Sequence, residues 1–125
     1  MQARGDRSMK IFITIHNTSV AHRFDLASEV LIAVHDGNRV VDDPRTIIMS
    51  RPSAEELCNL IIKEDVDTVI CGGIEERYYK FLAWKKINVL DSVIGDFTAV
   101  LNLAGLGLLS PGTIVPSSPD TVQRA

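Results

Sequence analysis

The chain is poor in nearly every feature that would declare a chemistry at once. Only two cysteines occur among its 125 residues, Cys58 and Cys71, thirteen positions apart. That spacing fits neither a zinc knuckle nor a thioredoxin-type pair. No uncharged apolar run is long enough to span a bilayer, and no secretory leader precedes the first apolar segment, so neither membrane insertion nor export is expected. The reading is a cytoplasmic protein whose thiols stay reduced. Positive charge is also lacking: 13 Lys and Arg stand against 16 Asp and Glu, for a net charge of -3. Nucleic-acid binding needs clustered basic charge and is not expected. A Walker loop, a GxSxG elbow and an HExxH helix are all missing.

What is present fits one soluble globular domain, with 46% hydrophobic and 23% charged residues. A chain of this size buries roughly two-thirds of its unfolded surface, so it folds without a disulfide or structural metal. The two ends differ from the middle. Residues 1–8 are polar and unpatterned and read as a flexible leader; the Arg4-Gly5-Asp6 tripeptide within it is assigned no role. Residues 110–125 hold three of the five prolines among Ser, Thr and Gly, the composition of a disordered tail. The folded unit is therefore residues 9–109.

Within it, Lys10–Ile15 is β-branched, aromatic and apolar on both faces, as a central strand should be. Ile11, Ile13 and Ile15 are expected on one side of the sheet and Phe12 and Thr14 on the other. Strands over Glu29–Val34 and Arg39–Val41 flank Asp36-Gly37, a dipeptide suited to a tight antiparallel turn. The second of these continues toward Met49, with Pro44 marking a bulge or an edge. The period then changes to 3.6. Ser53-Ala54-Glu55-Glu56 is a capping box and opens a helix with Ala54, Leu57, Cys58 and Ile61 inward. Asp67–Ile70 is a buried strand, and Cys71-Gly72-Gly73 turns from it into a helix over residues 74–86, with Ile74, Tyr78, Phe81 and Leu82 inward. Trp84 and Tyr78-Tyr79 also fall at core spacing there. A strand over Asn88–Leu90 leads into a last helix with Phe97, Val100, Leu101 and Ala104 inward, ended by Gly105 or Gly107.

The order β-β-β-α-β-α-β-α predicts an α/β fold of the ribonuclease H-like layout. Its mixed five-stranded sheet has three antiparallel strands followed by two βα crossovers, with helices on both faces. Strands one, four and five would run parallel and end at one sheet edge, where open α/β sheets bind ligands. The loop 16–28, the turn 71–74 and the loop 91–96 meet there, whereas His35 lies at the opposite end. Cys71 precedes a helix whose N-terminus favours anions and thiolates, so it is expected to react faster than Cys58; its alternative role is packing. Gly72 and Gly73 would let a large ligand approach the backbone. His16 and His22 could join Cys71 in a nitrogen-and-sulfur metal site, or be solvated loop residues. Arg23 could pair with an anionic ligand, or with Asp25 or Asp91. A two-metal nuclease is disfavoured, because strand one carries no carboxylate and Asp67 opens its strand at the wrong edge.

Four segments together resemble a known family: Met9–Thr14, Ala21–Asp25, Val66–Gly73 and Ile87–Gly95. They are similar to the dinitrogenase iron-molybdenum cofactor family of the NifX and NafY type, over nearly all of residues 9–109. The resemblance implies a ribonuclease H-like fold and binding of an iron-molybdenum or related metal-sulfur cluster. It implies a carrier or storage protein that exchanges the cluster with donor and acceptor proteins. Where the family commonly reads Arg-Phe-Gly-Arg, this chain has Arg23-Phe24-Asp25-Leu26, losing a glycine and a positive charge. Two functions are thus expected as alternatives. One is a non-enzymatic cluster carrier using Cys71, His22 or His16, with Arg23 and the Gly72 and Gly73 backbone balancing charge. The other is a regulatory or interaction module that uses the same edge without metal.

Overall fold

A computed structural model of the chain describes residues 8–116. Strand β1, Met9–His16, is buried continuously from Ile11 to Ile15 because it lies inside the sheet with a covered face on each side. It pairs antiparallel with β3, Glu29–His35, and parallel with β5, Thr68–Ile70. Beyond β3 lies β4, Val40–Ile48, and beyond β5 lies β6, Asn88–Leu90, giving the order β4-β3-β1-β5-β6. The sheet has six strands where five were expected. The extra strand, β2, is the two-residue Ser19–Val20, which folds back on the end of β1 with Ile15 opposite Val20. So short a strand carries no readable alternation.

Period-2 alternation on β1 divides the core into two layers. Phe12 points into one, with Leu57, Cys58 and Ile61 of helix α1, Ala54–Lys63, and Leu82 of helix α2, Glu76–Trp84. Ile11, Ile13 and Ile15 point into the other, with Val100, Leu101 and Ala104 of helix α3, Phe97–Gly105. Ser53 caps α1 by accepting from the Glu56 N–H at 3.2 Å, the serine half of the expected capping box. Asp96 caps α3 through the Thr98 and Ala99 N–H groups.

Three expectations need correction. The second helix spans Glu76–Trp84 rather than 74–86, and of its expected inward residues only Leu82 is fully buried; Phe81 is 36% exposed and Trp84 73%. The cause is the narrow surface it covers, since β5 and β6 have three residues each. The assignment of residues 110–125 to a disordered tail fails for 110–116. The Ile94 N–H donates to Thr113 O and the Val115 N–H to Ile94 O, and Val115 packs on the second layer. Gly95, at φ +144°, leaves the room: a Cβ there would stand 2.7 Å from Val115 Cβ. Residues 117–125, and residues 1–7 of the expected leader, lie outside the described residues. The sheet, finally, holds six strands and not five.

Pro44 marks both a bulge and an edge. Arg45 faces Ile32 and Val41 faces Val34, so Asp42, Asp43 and Pro44 together stand opposite Ala33 on the outermost strand. At the far end of β3, His35 is buried with its ring against Gly105 of α3. It lies away from the edge described next.

Candidate functional site

Strands β1, β5 and β6 run parallel and end at one edge, where the segments following them are joined by backbone hydrogen bonds. The first loop is tied to the third segment by Val20 N–H to Gly95 O and Phe97 N–H to Thr18 O, each 2.9 Å. It is tied to the second by Gly73 N–H to His22 O and Phe24 N–H to Gly73 O, each 2.8 Å. Phe24, fully buried in a single 3-10 turn over Phe24–Leu26, anchors the loop in the first core layer. The loop is therefore a fixed part of the scaffold.

That loop forms a cleft of about 630 Å³, with His16, Asn17, His22, Arg23, Leu26 and Glu29 among its lining residues. The volume falls within the range of small-ligand sites, about 300–1,000 Å³. His16 and His22 are both exposed on it. Arg23 holds Asp25 in a two-pronged pair, Nε to Oδ1 and Nη2 to Oδ2, both 2.9 Å. The side-chain hydrogen bond raises the Arg23 pKa and lowers that of Asp25 below the usual carboxylate value. Of the partners open to Arg23 in the sequence, the structure selects Asp25. Leu26, 63% exposed, adds an apolar wall.

The turn 71–73 departs from its expected role. It does not line the cleft. A Cβ on Gly72 would fall on the carbonyl oxygens of His22 and Ala21, so this glycine admits the protein's own loop rather than a ligand. The Gly73 N–H is engaged by His22 O. Helix α2 starts at Glu76 with Glu75 as its N-cap, too far along the chain for its dipole to act on Cys71. The expected activation of that thiol is thus corrected: Cys71 is fully buried, and burial, with the Asp91 charge as a lesser cause, pushes its pKa up to about 12. Burial, helped by Glu55, brings Cys58 to about 11. Both thiols are protonated and covered in this conformation. His16, His22 and Arg23 come together at the cleft, while Cys71 lies under the loop.

Among the described residues no group of three or more His, Cys, Asp or Glu is arranged to hold a metal ion. Sequence reasoning passed over Thr14, whose fully buried Oγ1 has no hydrogen-bond partner. A lone hydroxyl in an otherwise apolar central strand was the available signal.

No family model and no curated protein matches the chain. Solved structures do, and this chain's mixed α/β fold is similar to theirs. A Methanocaldococcus jannaschii protein, described as a candidate dinitrogenase, has a crystal structure 29% identical to this chain, with a TM-score of 0.67 over 82% of this chain and 93% of that one. Its NMR structure gives 28%, 0.68, 90% and 96%. A Thermotoga protein described as a candidate NifB protein, 13% identical with a TM-score of 0.61 over 88% and 99%, shares the fold alone. The neighbours at 28–29% identity are thus named for dinitrogenase. No described helix is long and apolar enough to cross a membrane.

Proposed function

We propose that this protein is a non-enzymatic carrier or storage protein for a metal-sulfur cluster of the iron-molybdenum type. Its frame is ribonuclease H-like, and its relatives are the NifX and NafY type of cofactor protein. The observation that carries this reading is the cleft of about 630 Å³, with two exposed imidazoles, His16 and His22, where three parallel strands end. Neutral imidazole is the commonest protein ligand for metals, and a cluster that brings its own sulfur needs few donors from the chain. The dinitrogenase description attached to a neighbour at 28–29% identity supports the same theme. His16 and His22 supply nitrogen. Arg23 balances an anionic cluster by turning from Asp25, and the Gly72–Gly73 backbone holds the loop in place. Exchange takes place with cluster donor and acceptor proteins in the cytoplasm, without nucleic acid or membrane.

The Arg23–Asp25 pair favours a second reading, because it cancels the cation that a cluster or a small anion would use. On that reading the edge binds a partner protein and no metal. Anaerobic purification followed by iron, molybdenum and copper analysis and a visible spectrum separates the two. The carrier reading expects a chromophore, or uptake of synthetic thiomolybdate, reduced by His22→Ala or His16→Ala with an unchanged melting curve. Normal uptake by both variants, or none by the wild type, overturns it.

A further inference from the structure

Helix α2 is the least embedded of the three helices. Of its nine residues only Leu82 is buried, while Tyr79, Phe81 and Trp84 are exposed. Exposed apolar groups mark an interaction site when they are contiguous. Here a cation joins them: the Lys85 ammonium lies 5.8 Å from the Phe81 ring and 4.9 Å from the Trp84 ring. Lys85 also lines a hollow of about 270 Å³ together with Lys86, Ile61, Ile62, Val66 and Ile87, so the aromatic face and the hollow form one surface. Asp67 and Ile87, both on the hollow, directly precede β5 and β6. The surface therefore stands at the end of the sheet opposite the cleft. Its helix side carries charge of one sign. From Arg77 to Leu90 the sequence has four cations, Arg77, Lys80, Lys85 and Lys86, and no carboxylate, in a chain of net charge -3. Arg77 and Lys80 are paired with Glu75 and Glu76. The two cations at the hollow, Lys85 and Lys86, have no carboxylate partner among the described residues.

We propose that Phe81, Trp84, Lys85 and Lys86, with the hollow beside them, dock an acidic segment of a partner protein. An apolar side chain of that segment enters the hollow, and its carboxylates meet Lys85 and Lys86 over the two rings. The hollow is smaller than the about 300–1,000 Å³ of small-ligand sites and suits a side chain. Tryptophan is a residue that anchors protein interfaces, and unpaired lysines around it are complemented by carboxylates. Other occupants fit less well. A second copy would set like charges against like across a two-fold axis. Residues 1–7 hold two arginines and one aspartate, the wrong sign for this face. A nucleic acid would bring its phosphates past Asp65 and Asp67, which also line the hollow. The inference goes beyond the carrier reading and does not depend on it. A partner held here leaves the cleft open.

Trp84 is the only tryptophan in the chain, so its fluorescence reports on this face alone. Titration of the full chain with a short synthetic peptide of repeated Glu-Glu-Leu units should give a saturable blue shift of the emission, weakened at high salt. Replacing Leu by Ser in the peptide should weaken binding several-fold, because the hollow then takes no apolar group. The variant Lys85→Glu, Lys86→Glu should lose about tenfold or more in affinity. Since two reversed charges can also disturb the helix end, Trp84→Ala is the second variant, followed by the fluorescence anisotropy of a dye-labelled peptide. It should lose about tenfold with a melting curve close to wild type. His22→Ala, on the cleft, should bind the peptide as the wild type does. No saturable shift in the wild type, equal binding of a peptide with Lys in place of Glu, binding unmoved by Trp84→Ala, or binding lost in His22→Ala each overturns the proposal. Tighter binding of duplex DNA or of phosphatidylserine vesicles with the same sensitivity to these variants, or a wild-type dimer that Trp84→Ala dissolves, gives the face to another occupant and overturns it as well.

Discussion

At Arg23 the guanidinium faces the cleft, yet two of its donors are engaged by Asp25 at 2.9 Å. The pair is solvent-exposed, so it adds little stability, but it decides whether the cation is free to meet a ligand. Asp25→Asn should therefore strengthen binding of molybdate or thiomolybdate by several-fold, measured by equilibrium dialysis, with a melting temperature close to wild type. A weaker affinity would mean that Asp25 orients Arg23 for the ligand. The two cysteines make a prediction with a definite sign. Their folded pKa values, about 11 and about 12, lie above the ordinary 9.0, so above pH 9 the unfolded chain loses protons that the folded chain keeps. Stability from this source is full below pH 9 and declines as pH rises through the folded values. Urea unfolding of the wild type should show that alkaline loss, and the Cys58→Ala, Cys71→Ala double variant should show less of it. Cys71 also marks where reading the sequence reached its limit. The chain shows a thiol before a glycine turn and a helix, but not that the helix begins only after Glu75 or that the sulfur is fully buried.

At the scale of elements, legibility followed burial on both faces. Strand β1 and helix α1 announce themselves because the apolar positions that set their periods, Ile11–Ile15 and Ala54, Leu57, Cys58 and Ile61, are all buried, and Ile13 is fully buried as expected. Ile13→Ala should cost about 2–5 kcal/mol in denaturant unfolding. Helix α2 misleads because its spacing is that of a core helix while the strands beneath it are too short to cover it. Trp84 instead lies outside, with the Lys85 ammonium 4.9 Å from its ring, and Trp84→Ala should cost less than about 1 kcal/mol. Equal losses at the two positions would contradict the layer assignment. Strand β2 escaped the sequence reading entirely, yet it turns the first loop back along β1 and so shapes the cleft.

For the whole molecule, the outcome at residues 110–116 shows how composition alone can misplace a boundary. Proline and serine content suggests a free tail, but Val115 fits the space left at Gly95, and the backbone at Thr113 and Val115 pairs with Ile94. Ending the chain at Leu109 should lower stability by about 1 kcal/mol, since Val115 is only partly buried on the second layer and a fully buried aliphatic side chain is worth roughly 1.5–3 kcal/mol. It should also speed hydrogen exchange at the Val20 amide, which Gly95 O accepts; unchanged exchange there would uncouple this segment from the cleft loop. The opposite margin of the sheet carries a different consequence. A nine-residue outer strand such as β4 is a template on which another chain could pair and sheets could grow into fibres. The outward step at Asp42, Asp43 and Pro44 interrupts that template with two negative charges and a missing N–H. On the carrier reading, a protein that must meet partners repeatedly and let them go keeps its one long margin unfit for permanent adhesion.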